Sequence, residues 1–386
     1  MHTIVRITTI PISLKVLLKG QLEFMQQNGF KVIAVSSDGN EIDALKQQEG
    51  CEHFIVPLTR KINPIQDVIC IIKLIKLLKK IKPAIVHTHT PKAGLIGMIA
   101  ACLARVPIRL HTIAGLPWIT TTGAKKYFFK TIERITAAAS SKIYVNSKSL
   151  LLYLKQQNLA NKKFSVLGAG TSNGIDVEYF VKSNKIEEES TFLKQINEIK
   201  EDAWVWLFVG RIVKDKGIQE LVEAFCDYQK IYNTDQLWLV GELEGNLDPL
   251  DGETITILNS NASIKKFGFQ NDVRPYYEAA NVLVFPSYRE GFPNVPMQAA
   301  LMDCGLILSD INGCNEIVEN NKTGLLVNVK SSKDILNRMF FVRENEAKFN
   351  QYKQEVKKKI VANFEKSVVW ENLLNEYKSL INKNGL

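Results

Sequence analysis

Short runs of β-branched and apolar residues alternate along this chain with longer segments whose apolar positions recur every three to four residues. In the first half, the runs with the length of strands are residues 3–8, 31–36, 53–57, 84–88, 108–112 and 142–146. After an acidic stretch at 186–189 the pattern restarts with 204–209, 236–240, 254–258, 282–285 and 306–309. Strands that alternate with helices are typical of parallel sheets, so the pattern predicts an α/β protein with two Rossmann-like domains.

The helical segments complete this domain plan. Residues 65–82 and 218–228 have the apolar spacing of amphipathic helices, and so does the tail, residues 364–381. We therefore expect an N-terminal domain over residues 1–175, a second domain over 176–363 and a C-terminal helix over 364–386.

Composition narrows the class of protein. The chain has 386 residues, 46% hydrophobic and 23% charged, which suits a soluble protein with two cores. No apolar run approaches the roughly 20 residues of a membrane-spanning helix, and the N-terminus lacks the pattern of a signal peptide, so we expect a cytoplasmic protein. The six cysteines form no Cys-x-x-Cys pair, which predicts reduced thiols and no disulfide scaffold or structural zinc.

The charge is distributed unevenly between the two halves. Residues 1–175 contain 24 Lys+Arg and 8 Asp+Glu, a balance of +16, whereas the remainder has a balance of −7. Within the first half, Lys73, Lys76 and Lys80 recur along the 65–82 helix, and a second cluster (125–130) interleaves lysines with aromatic residues. Such segments fit a nucleic acid, an anionic membrane surface or merely a solvated helix face. The excess of positive charge in the first half favours the anionic membrane surface. We therefore expect a peripheral protein at the inner face of the cytoplasmic membrane.

The common nucleotide-binding fingerprints are absent from the sequence. It has no P-loop, and its first strand leads into Ile10-Pro11 without a Gly-x-Gly-x-x-Gly turn. The glycine-rich run 168–174 has the wrong spacing for a dinucleotide site, so it is interpreted as an interdomain turn. A better candidate follows strand 204–209, where Gly210-Arg211 precedes Lys216-Gly217 at the start of helix 218–228. Two cations beside a helix N-terminus suit a diphosphate and the charge that grows on it when its bond to a sugar breaks.

A second candidate segment is residues 286–300, after strand 282–285. Here Asn294 is expected to cap a helix that has Pro296 in its first turn. Glu290 precedes this helix, where it can reach sugar hydroxyls, and Gln298 lies one turn inside it.

Taken together, these motifs resemble the retaining nucleotide-sugar glycosyltransferases of family 4, which have the GT-B fold: two Rossmann-like domains with a cleft between them and a C-terminal helix that returns to the first domain. The residues that carry the resemblance are Gly210-Arg211, Lys216-Gly217, Val240-Gly241, Phe267-Gly268-Phe269 with Asp272-Val273, Pro286-Ser287 with Glu290-Gly291, Gly313 with Glu316-Ile317-Val318, the segment 86–94, and residues 173–176. Their order along the chain is more specific than any one of them.

The resemblance implies a site residue by residue. Arg211 and Lys216 would hold the donor diphosphate, Glu290 would contact the transferred sugar, and residues 267–270 would lie near the base. It places the donor, a UDP-sugar, against Gly210, Arg211, Lys216, Gly241, Phe267, Glu290, Phe292, Asn294, Val295 and Gln298. It places a polyprenyl-diphosphate-linked glycan against Ser13, His89, Lys92 and Trp118. The implied catalytic residues are Arg211, Lys216, Glu290 and His111, without a metal or another cofactor.

Three positions depart from the family pattern. Gln298 replaces the second Glu of a Glu-x7-Glu motif, which removes carboxylate chemistry there but keeps hydrogen bonding to a ribose. Pro11-Ile12-Ser13 replaces a glycine pair that follows the first strand in many members. Ala114 stands where many members have a histidine, so that histidine has no direct counterpart here. The alternatives are His87, His89 and His111, and each is as compatible with a structural role as with a catalytic one. For retention the resemblance implies front-side attack, in which the leaving diphosphate accepts the acceptor's proton.

Two other functions fit the same motifs. A nucleotide-sugar epimerase would share the two-domain architecture but would act on the donor alone. A nucleotide-sugar-binding protein without catalysis would fit the departures at Ala114 and Gln298. The expected acceptor chemistry is that of bacterial transferases that extend lipid-linked oligosaccharides for surface polysaccharides, and no nucleic-acid partner is expected.

Overall fold

The alternating segments form two separate parallel sheets in a computed structural model that describes residues 1–116, 118–119, 121–245 and 248–386. The first sheet belongs to unit 1, which contains Met1–Gly174 and Lys366–Leu386. The second belongs to unit 2, Ile175–Glu365. The α/β class predicted from the sequence is confirmed.

The sheet of unit 1 has the order β3-β2-β1-β4-β5-β6-β7, and its strands pair in parallel. Its strands are β1 (His2–Ile7), β2 (Phe30–Ser36), β3 (Glu52–Ile55), β4 (Ile85–Thr88), β5 (Ile108–Ile113), β6 (Lys142–Val145) and β7 (Phe164–Ser165). Its helices are α1 (Pro11–Leu17), α2 (Gln21–Gln27), α3 (Ile42–Glu49), α4 (Pro64–Ile81), α5 (Pro91–Leu103), α6 (Gly123–Ala139) and α7 (Lys148–Gln156), joined by the C-terminal helix α16 (Lys366–Lys383). The strand order reverses between β1 and β4, which is where ligands of such sheets bind.

Unit 2 repeats this plan with the order β10-β9-β8-β11-β12-β13. Its strands are β8 (Val205–Val209), β9 (Gln236–Val240), β10 (Ile264–Lys266), β11 (Val282–Phe285), β12 (Gly305–Ser309) and β13 (Leu325–Val327). Its helices are α8 (Asn184–Ile196), α9 (Ile218–Tyr228), α10 (Gly252–Ser260), α11 (Arg274–Ala279), α12 (Asn294–Leu301), α13 (Cys314–Ile317), α14 (Ser332–Glu344) and α15 (Glu346–Phe364), and a 3₁₀ turn covers Lys214–Lys216.

Helix α4 shows how local sequence determines an element. The Asn63 side chain accepts a hydrogen bond from the backbone N–H of Gln66, and Pro64 occupies the first turn, where its missing N–H costs nothing. The helix ends at Lys82, which has a left-handed φ of 50° and precedes Pro83. Cys70, Leu74 and Leu78 form the buried face.

The C-terminal helix is part of the core of unit 1. On α16, Leu373, Leu374, Tyr377 and Ile381 are buried together with Ile4, Leu14 and Leu22 from the start of the chain. Each fully buried aliphatic side chain contributes roughly 1.5–3 kcal/mol by its removal from water. This helix therefore completes the first unit although it follows the second in sequence.

One predicted strand is wrong. Residues 254–258 lie inside the α-helix α10, whose first turn is capped by Asp251 through the backbone N–H of Thr254, 2.8 Å from its carboxylate. The β-branched residues of this segment favoured a strand, but the cap and the burial of one face only, by Thr254 and Leu258, stabilise a helix. The short strands β7, β10 and β13 were not predicted, because two or three residues carry no periodicity.

A substitution at Gly241 tests how closely the chain after β9 packs against the chain after β8. It has a φ of 142°, and a Cβ built on it would lie 1.9 Å from the carbonyl oxygen of Gly210. We expect Gly241→Ala to lower the free energy of unfolding by about 2–4 kcal/mol, since the backbone of β8 cannot give way. Urea unfolding of the variant measures this.

Gly252→Ala is the matched control, because a Cβ there meets nothing within 4 Å. It should leave the stability unchanged or raise it by up to about 1 kcal/mol. Equal stability of the two variants would contradict the close approach of Gly241 to Gly210.

Candidate active site

The carboxyl ends of β8, β9, β11 and β12 bring the loops of unit 2 together. The backbone N–H of Gly210 donates to the carbonyl of Val240 at 2.9 Å, and that of Gly241 donates to Gly268 at 2.8 Å. Gly217 has a φ of 72°, and a Cβ on it would lie 2.2 Å from the carbonyl oxygen of Pro286. Motifs far apart in sequence therefore meet at one sheet edge.

Lys216 and Glu290 form an ion pair at this edge. The Lys216 Nζ lies 2.5 Å from the Glu290 Oε1, and the two side chains are 18% and 16% exposed. Lys216 also lies over the Phe285 ring, 5.7 Å from its centroid. The pair connects the turn that precedes α9 to the loop after β11, at the N-terminus of an 11-residue helix. Two residues that the sequence predicted for one site are thus in direct contact.

Arg211 is more exposed and is paired with a different carboxylate. Its Nη1 donates to Glu244 at 2.9 Å, and its side chain is 49% exposed. A second pair, Arg289 with Asp215 at 2.9 Å, lies beside Lys216 and Glu290 in sequence. Sequence reasoning missed Glu244, Asp215 and Arg289, although Asp215 and Arg289 adjoin predicted residues.

Helix α12 begins differently from the prediction. Asn294 is its first helical residue, and Pro293 is at the N-cap position without a side-chain hydrogen bond, so the predicted Asn294 cap is wrong. Gln298 accepts a hydrogen bond from the Tyr277 hydroxyl at 3.0 Å, which orients its amide. Val295 is half-buried in the first turn.

Two aromatic residues predicted at the donor site pack against neighbouring rings. Phe267 packs against both Trp238 and Tyr276, whose ring centroids are each 5.0 Å from its own. The Phe292 ring is 5.1 Å from that of Phe364. These contacts hold the two loops against unit 2.

In unit 1 the predicted histidines are buried and hydrogen-bonded. His111 is 3% exposed, and its Nδ1 lies 2.8 Å from the Thr88 hydroxyl. Desolvation lowers the pKa of His111 to about 4, so the ring is neutral at pH 7. His87 contacts the Tyr377 hydroxyl at 2.6 Å, and burial lowers its pKa well below the ordinary value.

His89 belongs to the same buried network. Its Nε2 lies 2.9 Å from the Nη2 of Arg6, a fully buried guanidinium that also donates to Gln21 at 2.6 Å. Desolvation, with the charge of Arg6 nearby, lowers the pKa of His89 well below its ordinary value. His89 lines a small internal cavity of about 20 Å³, enough for one water.

The other three residues predicted for the acceptor line one larger cavity of unit 1. Ser13, Lys92 and Trp118 lie on the wall of a space of about 690 Å³. Lys92 is held there by Asp67 at 2.8 Å and by the Lys61 carbonyl. Trp118 is 1% exposed, with the Lys130 ammonium 5.7 Å from its ring. The structure thus groups these three residues and separates them from His89.

Helix α4 carries an apolar stripe that faces solvent. Ile65, Val68, Ile69 and Ile72, spaced by three and four residues, are 77%, 55%, 40% and 48% exposed. Lys73 and Lys76 on the same helix are also exposed, and so is Lys125 on α6. The helix therefore presents isoleucines as well as lysines to its surroundings, beyond the face that packs on the core.

The described residues include neither a metal-binding cluster nor a membrane-spanning helix. Among them, no group of three or more His, Cys, Asp or Glu side chains lies close enough to hold a metal ion. None of their helices has the length and hydropathy that crossing a bilayer requires.

The two-sheet architecture with its parallel strands is that of the GT-B fold. HepE of Anabaena, crystallised in complex with UDP, superposes with a TM-score of 0.80 over 98% of this chain and all of that one, at 17% identity. Sucrose-phosphate synthase of Thermosynechococcus elongatus superposes with a TM-score of 0.79 over 99% and 100% of the two chains, at 19% identity. At these identities the likeness establishes the fold.

Sequence comparison defines the family. The model of glycosyl transferases group 1 matches residues 189–359, and the glycosyl transferase 4-like model matches residues 11–147. The capsular polysaccharide biosynthesis glycosyltransferase CapM of Staphylococcus aureus is 34% identical over 371 residues, 95% of each chain. The chain therefore belongs to the group 1, family 4-like glycosyltransferases, as the motifs predicted.

Two further relatives have names that state their substrates. One is the UDP-Gal:α-D-GlcNAc-diphosphoundecaprenol α-1,3-galactosyltransferase of Escherichia coli, 27% identical over 89% of this chain and 88% of that protein. The other is the N,N′-diacetylbacillosaminyl-diphospho-undecaprenol α-1,3-N-acetylgalactosaminyltransferase of Campylobacter jejuni, 24% identical over 71% of both.

The ion pair of Lys216 with Glu290 should stabilise unit 2. Removal of either partner leaves a charge in a largely buried position, so we expect Lys216→Ala and Glu290→Ala each to cost about 1–3 kcal/mol of the free energy of unfolding. The double variant should lose less than the sum by at least about 0.5 kcal/mol. Urea unfolding of the four proteins gives this coupling.

Lys230→Ala is the control, since its partner Asp227 and Lys230 itself are 50% and 73% exposed. It should change the stability by less than about 0.5 kcal/mol. Additive losses in the cycle would show that Lys216 and Glu290 do not interact in solution.

Proposed function

We propose that this protein is a retaining glycosyltransferase that moves a hexose or N-acetylhexosamine from a UDP-sugar to a polyprenyl-diphosphate-linked glycan. The observation that carries the proposal is the Lys216–Glu290 pair at the N-terminus of α9. A cation for the diphosphate and a carboxylate for sugar hydroxyls lie within one hydrogen bond of each other. The substrates in the names of the E. coli and C. jejuni relatives support the acceptor class, and the UDP in the HepE crystals supports the donor.

In this scheme the donor lies along the carboxyl edge of the unit 2 sheet. Arg211 and Lys216 hold its diphosphate, and Glu290 accepts hydrogen bonds from the transferred sugar. Gln298, oriented by Tyr277, binds the ribose. The loop that contains Phe267 lies by the base.

The reaction needs no enzyme nucleophile. The bond between the sugar C1 and the diphosphate oxygen breaks, and the acceptor hydroxyl forms its new bond to C1 on the same face. Its proton goes to the leaving diphosphate oxygen, so charge and protons balance. Stabilisation of the diphosphate by Arg211, Lys216 and the α9 N-terminus supplies the main catalytic effect, with no metal ion required.

His111 has a limited part in this mechanism. With a pKa of about 4 and a hydrogen bond to Thr88, its ring is a weak base that is held in place. The mechanism does not need this ring to take up the proton. Because the ring is 3% exposed, we propose that His111 is a positioning residue that acts through Thr88 and not by contact with the acceptor.

The acceptor is proposed to bind unit 1 at the cavity lined by Ser13, Lys92 and Trp118, with His89 as a further acceptor residue in the neighbouring buried network. The same unit would bring the protein to the cytoplasmic face of the membrane. Two observations support this membrane assignment: the net charge of +16 in residues 1–175, and the apolar stripe beside lysines on α4, which consists of the exposed Ile65, Val68, Ile69 and Ile72. Basic amphipathic helices with these features lie at lipid interfaces.

The first functional test removes the charges of the diphosphate site. Arg211→Ala and Lys216→Ala should each lower kcat by roughly 100- to 1,000-fold, since one charge-stabilising donor lost from a transition state costs about 3–4 kcal/mol. Donor-dependent transfer to an undecaprenyl-diphosphate-linked glycan measures this, below the unfolding temperature of each variant.

Lys214→Ala is the matched control, because Lys214 is exposed in the same 3₁₀ turn. It should retain kcat within about threefold, as expected for a solvated charge. Normal turnover of both charge variants would remove the diphosphate assignment. Conversion of the donor without any acceptor would indicate an epimerase, and donor binding without turnover would indicate a binding protein.

The second functional test concerns the membrane. Wild-type protein should sediment with anionic vesicles at low salt and less so as salt rises, because exposed charges are screened beyond about 8 Å at physiological ionic strength. The exposed apolar stripe should leave a salt-resistant remainder. Replacement of Lys73, Lys76, Lys125 and Lys126 by Gln should reduce vesicle binding and activity on lipid-linked acceptor, but not on a water-soluble analogue.

A control variant should carry the same change of charge in unit 2, at the exposed Lys185, Lys200, Lys266 and Lys333. It should bind vesicles like the wild type. Equal binding to neutral and anionic vesicles, or equal effects of the two quadruple variants, would refute the assignment of the membrane surface to unit 1.

A further inference from the structure

The larger cavity of unit 1 has two chemically different sides. Polar side chains come from the strand ends and the loops beside them, where the hydroxyls of Thr9 and Thr90 lie 2.7 Å apart. Two cations, Arg60 and Lys92, also line the wall, and Lys92 is paired there with Asp67, which leaves Arg60 as the cation without a carboxylate partner among the salt bridges described. Helices α5 and α6 and the loop before α6 supply large apolar side chains: Leu95, Trp118, Phe128, Phe129, Ile132 and Ile135. Its ligand should therefore be amphiphilic, with an anionic end and an apolar chain.

The cavity is open to the exposed apolar surface. Ile62, Phe128 and Ile135 line the cavity and are nevertheless 64%, 46% and 44% exposed. Ile62 lies two residues before the start of α4, whose exposed isoleucines continue the apolar surface. Large exposed apolar side chains around a cavity are typical of a binding site. The apolar side of the cavity therefore extends onto the exposed surface of unit 1.

We propose that this cavity binds the diphosphate-proximal isoprenoid units of the lipid-linked acceptor, with the diphosphate toward Arg60 and Lys92. The inference rests on the proposed function, which supplies a lipid diphosphate as substrate. It adds that part of the lipid leaves the bilayer and is recognised by the protein. The volume of about 690 Å³ is within the range of roughly 300–1,000 Å³ for small-molecule pockets, so it takes a few isoprene units and not the entire chain.

The carboxyl group of Glu133, on the wall of the cavity, should make ligand binding depend on pH. Burial raises the pKa of Glu133 to about 7. The other charged groups on the wall are Arg60, Lys92 and Asp67, and the last two are paired with each other. An apolar chain beside Glu133 favours the protonated carboxyl, so binding should weaken as the pH rises through about 7.

Binding of farnesyl diphosphate, farnesol and inorganic diphosphate to the full chain, without vesicles, tests the proposal. Farnesyl diphosphate should bind at least about tenfold more tightly than inorganic diphosphate, because its chain is removed from water. Ile132→Trp and Leu95→Phe, which fill the cavity from two helices, should each abolish this gain. Leu152→Trp adds similar bulk at a residue that is 57% exposed on α7 and should preserve the gain.

Farnesol isolates the pH effect, since it has no titratable group. Its affinity should fall between pH 6 and pH 8 in the wild type, whereas Glu133→Gln should bind it equally at both pH values. Equal affinities for farnesyl diphosphate and inorganic diphosphate would overturn the proposal. So would wild-type behaviour of both cavity-filling variants when they are folded, or an equal loss in Leu152→Trp.

Enzyme assays separate failure of this inference from failure of the proposed function. With acceptors of increasing isoprenoid length, KM should fall over the first few units and then level off, and Ile132→Trp should remove that dependence. Transfer that is independent of chain length would refute the cavity assignment alone. Absence of transfer to any lipid-diphosphate acceptor would refute the proposed function.

Discussion

Parallel pairing is the constraint on which both units depend. Every pairing between the named strands is parallel, so each sheet collects its strand ends, and the loops that follow them, at a single edge. In unit 1 this brings Thr9 and Thr90 within hydrogen-bonding distance, and in unit 2 it brings Lys216 to Glu290. Residues far apart in sequence thus become neighbours without any long-range sequence signal.

The carboxyl edges of the two sheets differ in the charge and burial of the side chains that line them. The edge of unit 2 is lined by partly exposed ion pairs, such as Arg211 with Glu244, whose side chains are 49% and 32% exposed. In unit 1, His87, His89 and His111 are buried, and desolvation lowers their pKa values, so they remain neutral beside the buried Arg6. Neutral rings in a fixed network suit orientation of a ligand better than transfer of protons at neutral pH.

Much of the architecture could be predicted from the sequence. Strands such as Gln236–Val240 and Val282–Phe285 were located from their apolar runs, because buried parallel strands are hydrophobic on both faces. Residues 254–258 were misassigned, since β-branched residues occur in both kinds of element and the Asp251 cap, three residues before this segment, stabilises the helix.

The candidate site also contains residues that the sequence predicts and contacts that it does not. Lys216 and Glu290 could be found from motifs at strand ends, whereas the pairing of Arg211 with Glu244 could not. A partner on a neighbouring loop is determined by loop conformation, which has no periodic signature. The grouping of Ser13, Lys92 and Trp118 around one cavity, with His89 outside it, likewise depends on how α5 and α6 pack.

The position of α16 has a consequence for biosynthesis. Its Tyr377 hydroxyl contacts His87, and its buried leucines complete the core that Ile4 and Leu14 begin. During translation the ribosome releases the first unit without this helix, and the whole second unit is synthesised before it emerges. Unit 2 has all of its core residues in one continuous segment, so it can reach its native state first. Until α16 is synthesised, the core residues of the first unit that it covers lack their native partners, so this unit can complete its core only after the second unit has been made.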